Sequence, residues 1–167
     1  IQQHLGFSPL RFEQMVKPLI DEVATACQLL PSTQHRFYAL EGGLLDYALF
    51  RAQAACMLFR QTAFAPGTQV LSDEQSLWSY VVFSAALLRG LGMLCTDYRV
   101  DCYDAGGGLT GQWRPLWERF IDRTEYYQYE LNTDVLDGLK QHLTPFLARL
   151  WMPSVGLSWI AENPEAF

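Results

Sequence analysis

The sequence predicts a mainly α-helical fold with one small β-hairpin. Half of the 167 residues are hydrophobic, which is enough to build a sizeable core within one domain. Apolar side chains recur at helical spacing through several long stretches, whereas residues 98–113 alternate apolar and polar side chains as paired strands do. No internal repeat or long linker divides the chain, so we expect residues 1–167 to form a single helical domain. Because residue 1 is Ile rather than Met, we expect this domain to be a fragment of a larger protein.

The first helix is predicted to begin at Ser8 and Pro9, which suit an N-cap and a first helical turn. Pro18 should kink or restart this helix, and Pro31 should end it. A loop follows up to residue 41. The residues on the apolar face of this helix are Phe12, Met15, Val16, Ile20, Val23, Ala24 and Cys27.

Gly42 and Gly43 open the second predicted helix. One face of it is apolar and carries Leu45, Ala48, Leu49, Ala52, Cys56 and Phe59. The third helix has a capping box from Ser72 to Gln75 and is predicted to run over residues 73–95. A helix that is apolar on nearly all sides usually lies at the centre of a domain.

Two residues are unexpected inside that third helix. Arg89 and Gly90 follow an apolar run over 77–88. A buried guanidinium without a partner is costly, and Gly weakens a helix interior. Either the helix ends here, or a present or former site of chemistry determined these residues.

The hairpin of residues 98–113 is predicted to turn at the three glycines 106–108. Helix resumes over 114–123, and the stretch 124–133 is uncertain.

A further helix is predicted from Asp134 to Trp151, bent by Pro145 and stopped by Pro153, with a short helix after it. Its apolar face carries Leu136, Leu139, Leu143 and Leu147.

Composition excludes several classes of function. The net charge is −6, so direct binding of this segment to DNA is doubtful. The four cysteines form no C-x-x-C pair, which favours free, mostly buried thiols in a reducing cytosol. No signal peptide is visible, and the apolar run over 77–88 is too short to span a bilayer. We therefore expect a soluble cytoplasmic protein with no membrane partner.

The residues alone reveal no active site. The three histidines, His4, His35 and His142, match no metal-binding pattern. The glycines of 106–108 are not followed by the Lys of a phosphate loop. Several aromatic residues could stack on bases, but an aromatic core with an amphipathic surface is the better interpretation of Trp113, Trp117, Tyr126, Tyr127 and Tyr129.

Three motifs together resemble a known family. They are "LPSTQHRFYALEGGLLDYALFRA", "AALLRGLGM" and "TDYRVDCYDAGGGLTGQWRPL". In order and spacing, over about residues 30–150, they are similar to the helical N-terminal domain of TraI-type relaxases of the MobH class, from bacterial integrative and conjugative elements. The resemblance implies an HD-phosphohydrolase-like helical bundle.

The metal ligands of that family are degenerate in this chain. The resemblance places the family's histidine cluster near residues 36–38, a further histidine at 47, and the His-Asp pair at 89 and 90. The residues that line this degenerate pocket are expected to be Arg36, Tyr38, Tyr47 and Arg89. Neither these nor Gly90 form a ligand set for Zn, Mn or Fe, so we assign no catalytic residue, no metal and no cofactor.

Arg89 should then point into the emptied pocket. A guanidinium there could replace the charge of the metal and pair with Asp46 or Glu125, or it could bind an anion such as phosphate. We expect Arg89 to be paired or connected to solvent.

The resemblance implies a pseudoenzyme: a non-catalytic domain of a relaxase-like protein that positions other domains, a conjugation protein or DNA during transfer of a mobile element. Two alternatives stay open. One is a metal-dependent phosphohydrolase or nuclease that uses His35, Asp97 and Asp101. The other is a small-molecule sensor that uses the emptied pocket.

Overall fold

The computed structural model describes most of the chain and leaves out residues 33–35, 65–69, 120–124, 133–136 and 167, together with the side chains of residues 36 and 137. The helices are α1 (Gln2–Leu5), α2 (Pro9–Arg11), α3 (Lys17–Cys27), α4 (Gly43–Ala63), α5 (Asp73–Leu88), α6 (Asp137–Trp151) and α7 (Ser154–Ala161). The strands are β1 (Tyr98–Tyr103), β2 (Leu109–Gln112) and β3 (Tyr126–Leu131). The prediction of a mainly α fold is confirmed.

The N-terminal helical segment is interrupted as Pro18 predicts. The Ser8 side chain accepts a hydrogen bond from the Arg11 amide at 3.3 Å and so caps α2. A π-helical segment, Phe12–Val16, then leads into α3, which has Pro18 in its first turn. Proline has no amide hydrogen to donate, so the regular α-helical hydrogen bonds restart there. The short helix α1 precedes all of this and was not predicted.

Helices α4 and α5 form the centre of the domain. Gly42 begins α4 with a φ of 79°, a left-handed conformation that glycine adopts without strain. Ser72 and Gln75 form the predicted capping box at the start of α5. Small buried residues on α4, namely Ala48, Ala52 and Cys56, allow the two helices to lie close together.

The third helix is shorter than its apolar pattern predicts. It ends at Leu88, with Arg89 as its C-cap and Gly90 at a φ of 76°. A separate 3-10 segment, Leu91–Cys95, follows. The prediction of one helix over 73–95 is therefore wrong, because a left-handed residue cannot continue an α-helix. Of the two interpretations of Arg89 and Gly90, the end of the helix is confirmed.

The predicted hairpin is present, but β3 extends it to a three-stranded antiparallel sheet in the order β2-β1-β3. Asp101 pairs with Gln112 on one side and with Gln128 on the other. The side chains of Tyr98, Val100 and Cys102 point to the core. The strand β3 lies in the stretch 124–133, which the sequence pattern did not assign. It pairs with β1 and so stabilises a two-stranded hairpin that would be marginal by itself.

The glycine run forms the hairpin turn, as predicted. Asp104 Oδ1 accepts hydrogen bonds from the amides of Gly106 and Gly108, at 2.9 and 2.8 Å. Gly107 has a φ of 79°. This carboxylate organises the turn, and the amides of the turn are directed at it rather than at a phosphate.

The aromatic residues divide between core and surface. Trp113 is buried and donates its ring N–H to the Glu118 carbonyl oxygen at 3.1 Å, and the Tyr127 hydroxyl donates to the Leu29 carbonyl oxygen at 2.8 Å. Trp117, Tyr126 and Tyr129 are exposed. Trp113 and Tyr127 thus belong to the aromatic core of the interpretation given above, and the exposed three belong to its surface part.

Two helical predictions need correction in the C-terminal half. Residues 114–119 form a single turn rather than a helix, with the Trp117 and Glu118 amides both bonded to the Arg114 carbonyl oxygen; the rest of that prediction lies outside the described residues. In α6, Leu147 is fully buried, but Leu139 is 51% exposed. The turns that precede and follow Pro145 therefore do not share one buried face.

The thiols agree with the prediction. All four cysteines are free, and Cys27, Cys56 and Cys102 are buried. Burial raises the pKa of Cys27 to about 12 and that of Cys56 to about 11, so these thiols are poor nucleophiles in the folded protein.

Among the described residues, one stretch, Asp73–Cys95, has the length and hydropathy to cross a membrane, and 61% of its apolar window is buried inside the fold. This is weak evidence for a membrane span, because the core helix of a soluble protein passes the same test.

A glycine fixes the position of α6 on the 3-10 segment. A Cβ atom at Gly92 would lie 2.0 Å from the Lys140 carbonyl oxygen. Gly92→Ala should therefore lower the free energy of unfolding by about 2–3 kcal/mol through overpacking, measured by urea denaturation.

Gly138→Ala is the matched control, since a Cβ atom at Gly138 meets no atom within 4 Å. This variant should be neutral or more stable by up to about 1 kcal/mol, because Ala is the better helix former. Equal effects of the two substitutions would contradict the close approach.

Candidate functional site at the end of α5

The side chain of Arg51 occupies the C-terminal end of α5. From α4, its Nε donates to the Ala86 carbonyl oxygen at 2.7 Å, and Nη2 donates to the Leu87 carbonyl oxygen at 3.3 Å and to the Arg89 carbonyl oxygen. The last carbonyls of a helix have no partner within the helix and carry partial negative charge. One guanidinium therefore supplies both hydrogen bonds and positive charge to this helix end.

The Tyr47 ring lies against the Arg51 side chain, and two further aromatic rings adjoin Tyr47. The guanidinium lies 5.1 Å from the centroid of the Tyr47 ring, a favourable cation–π distance. The Tyr47 ring packs against Tyr38 at 5.3 Å, and Tyr38 lies 6.4 Å from Phe50. The aromatic cluster of Tyr38, Tyr47 and Phe50 thus joins the 3-10 turn Arg36–Tyr38 to α4.

Burial governs the electrostatics of this site. Desolvation lowers the pKa of Arg51, the interaction with Tyr47 opposes that shift, and the nearby positive charge of Arg89 adds to it. Arg51 nevertheless stays charged at neutral pH, because the ordinary pKa of arginine is above 12.

The structure brings several of the predicted pocket residues together. Tyr47 and Arg89 meet at Arg51, which contacts the ring of the first and the carbonyl of the second. Tyr38 stacks on Tyr47. For Arg36 only the backbone is described.

The predicted partners of Arg89 do not pair with it. Asp46, Glu125 and Arg89 are all exposed, and within the described part of the chain no ion pair joins Arg89 to either carboxylate. The Arg89 side chain is instead exposed, and its expected place in the pocket that the resemblance implies stays a prediction.

The alternative ligand set is divided between two environments. Asp97 is 7% exposed, lies 2.9 Å from Lys140 Nζ and accepts a hydrogen bond from Thr96 Oγ1 at 2.8 Å. Asp101 lies four residues further along an extended chain, about 13 Å away at the usual rise per residue. His35 lies outside the described residues. In the part that is described, no group of three His, Cys, Asp or Glu side chains could hold a metal ion.

Sequence reasoning missed Arg51, the residue that organises the site. A signal was present, because Tyr47 and Arg51 are four residues apart on one helix and therefore share a face. The residue received no role because its partners are backbone carbonyls, which leave no mark in side-chain patterns.

Fold and site together define a mainly helical domain with a small antiparallel sheet. The C-terminal end of its central helix favours a positive charge, and an arginine side chain supplies that charge. The chain belongs to the TraI_2 family, described as "Putative helicase", whose model matches residues 1–167. The resemblance to TraI-type proteins is thereby confirmed at the level of the family, and the match supports a relaxase-related domain. No curated protein is similar enough to the chain to match it.

Removing the Arg51 guanidinium should weaken the whole domain. Arg51→Met leaves the carbonyls of Ala86, Leu87 and Arg89 without their donors, and we expect the free energy of unfolding to fall by about 2–3 kcal/mol in urea denaturation. Arg51→Lys should lose less, because an ammonium keeps the charge but cannot span three carbonyls.

Arg149→Met provides the control at an exposed arginine of α6, and it should change stability by less than about 0.5 kcal/mol. If Arg51→Met is as stable as this control, the capping role of Arg51 is wrong.

Proposed function

We propose that this chain is a non-catalytic, HD-derived domain of a TraI-type, relaxase-related protein. It acts in the bacterial cytoplasm as an interaction module that positions other domains, a conjugation protein or DNA during transfer of a mobile element. The observation that carries the proposal is the Arg51 guanidinium at the end of α5, beside the positions at which the family resemblance implies metal ligands.

Arg51 is chemically incompatible with a metal ion in the same place. Its guanidinium is always charged and has no lone pair to offer, so it repels a divalent cation. The neighbouring residues do not compensate, because Tyr47 presents its ring to Arg51 and Gly90 has no side chain. The scaffold is thus retained while the position of the metal is taken by a cation of the chain itself.

An interaction role is supported by the exposed apolar surface beside this site. Phe37 is 87% exposed, Leu40 is 76% exposed and Phe50 is 58% exposed. Helix α4 continues this surface with Met57 and Leu58. Large apolar side chains that cluster on a surface are typical of sites where another protein binds.

The competing enzymatic hypothesis needs Asp97 and Asp101 as metal ligands. The ion pair between Asp97 and Lys140 speaks against it, because a cation would have to displace the ammonium from a buried carboxylate. The two carboxylates are also too far apart to bind one ion.

Metal analysis of the purified chain separates the two hypotheses. We expect Mn, Fe and Zn far below one equivalent per chain by mass spectrometry of the elements. We also expect no hydrolysis of a generic phosphodiester with added Mn²⁺. The reason is that the described residues offer no ligand cluster.

One equivalent of metal that is lost with a chelator, together with phosphodiester hydrolysis, would contradict the proposal. Asp101→Asn then identifies the site. This residue lies on a partly exposed strand position, so its replacement spares the fold, and loss of the metal in this variant would establish the alternative set.

A further inference from the structure

A groove lies on the other side of the α5 C-terminus, between α5, α6 and α7. It encloses about 1030 Å³, at the upper end of the volumes typical of small-molecule sites. Arg89 and Lys140 lie at one end, where α5 finishes and α6 starts, and Val81 and Met152 lie at the other. The groove therefore follows about two turns of α5, a length of ~12 Å.

Close helix packing fixes the walls of this groove. Gly92 allows α6 to approach the 3-10 segment, as described above. A Cβ atom at Gly156 would lie 2.1 Å from the Tyr80 hydroxyl oxygen, so α7 contacts α5 equally closely. Because both contacts are made by backbone against neighbouring atoms, the groove is a built feature of the fold.

The lining changes from apolar to cationic along the groove. Leu88, Met152 and Ile160 are buried apolar residues on its floor. The polar side chain of Ser84 is already satisfied, because its hydroxyl donates to the Tyr80 carbonyl oxygen at 2.8 Å. Thr144 is satisfied in the same way by the Lys140 carbonyl oxygen at 3.3 Å. The polar side chains that could select a ligand are therefore those of Arg89, Lys140 and Gln141, at the end where α6 starts.

Arg89 is the cation available to a ligand there. The carbonyls at the end of α5 already receive the hydrogen bonds of Arg51, so the Arg89 guanidinium is not needed to cap its own helix. Within the described residues it forms no ion pair, whereas Lys140 is paired with Asp97 at 2.9 Å. An exposed guanidinium next to an apolar groove favours a carboxylate or phosphate head group.

We propose that this groove binds a small amphipathic anion, with the anionic head on Arg89 and an unbranched apolar chain along α5 toward Met152. The site is separate from the aromatic cluster and from Arg51, and it does not rest on the loss of a metal site. It gives the domain a ligand-binding function in addition to the proposed interaction role.

Decanoate is the probe, and decanol and decyltrimethylammonium carry the same chain with a neutral and a cationic head. Isothermal titration should show the tightest binding for decanoate, below its micellar concentration. Arg89→Gln should weaken decanoate binding about tenfold, the loss expected for one charge-assisted contact, and should leave decanol binding unchanged.

Two further variants complete the test. Ala85 lines the groove at an exposed position of α5, so Ala85→Trp should fill the groove and abolish binding of decanoate and decanol. Arg149→Gln removes an arginine outside the groove and should have no effect. Circular dichroism verifies that each variant is folded.

Equal affinity for decanoate and decyltrimethylammonium would overturn the proposal, as would unchanged decanoate binding by Arg89→Gln or by folded Ala85→Trp. Any of these results would mean that Arg89 and this groove do not select the anion. The decanoate titrations and the metal analysis give independent results. Failure of the groove proposal can therefore be told apart from failure of the proposed function.

Discussion

The structure depends on one arginine of α4, Arg51, whose side chain caps the C-terminal end of α5. Arg51 extends from α4 and binds three carbonyl oxygens at the C-terminus of α5. An apolar helix that stops inside a domain leaves its last carbonyls without partners, at a cost of about 1–3 kcal/mol for each buried group. Arg51 removes that cost, and Gly90 then turns the chain into the 3-10 segment and on to the sheet. The position of β1, and with it the whole sheet, follows from where α5 ends.

The two sides of the α5 terminus have opposite characters as a consequence. On the α4 side, the cation is the half-buried Arg51 guanidinium, which lies 5.1 Å from the centroid of the Tyr47 ring. On the side of α6 and α7, Arg89 is free of the capping role and faces an apolar groove. A helix that ends inside a domain needs hydrogen-bond donors for its last carbonyl groups. Arg51 supplies these donors together with positive charge.

Local signals in the sequence predicted much of this fold. The capping box at Ser72, the glycine before α4 and the Asp104 turn are determined by residues within a few positions of each other, so a short window reveals them. The end of α5 and the pairing of β3 with β1 depend on contacts between distant residues. Arg89 and Gly90 indicated that α5 could end there, but the apolar residues that follow, Leu91, Met93 and Leu94, suit a continued helix as well. For the site, the resemblance offered Tyr47 and Arg89 as pocket residues, which stays a prediction, whereas Arg51 acts through backbone carbonyls and left no recognisable motif.

The most direct test of this account is nuclear magnetic resonance of the arginine Nε–H groups. The Nε–H of Arg51 donates to the Ala86 carbonyl oxygen in a half-buried environment, so its exchange with solvent should be slow, whereas that of the exposed Arg89 should be fast. The Arg51 signal should also remain sharp when Mn²⁺ is added, because the proposed function has no metal bound beside it. An Arg51 Nε–H that exchanges as fast as that of Arg89 would contradict the capping role of Arg51, and one that broadens at one equivalent of Mn²⁺ would contradict the proposal that this guanidinium stands in place of a metal.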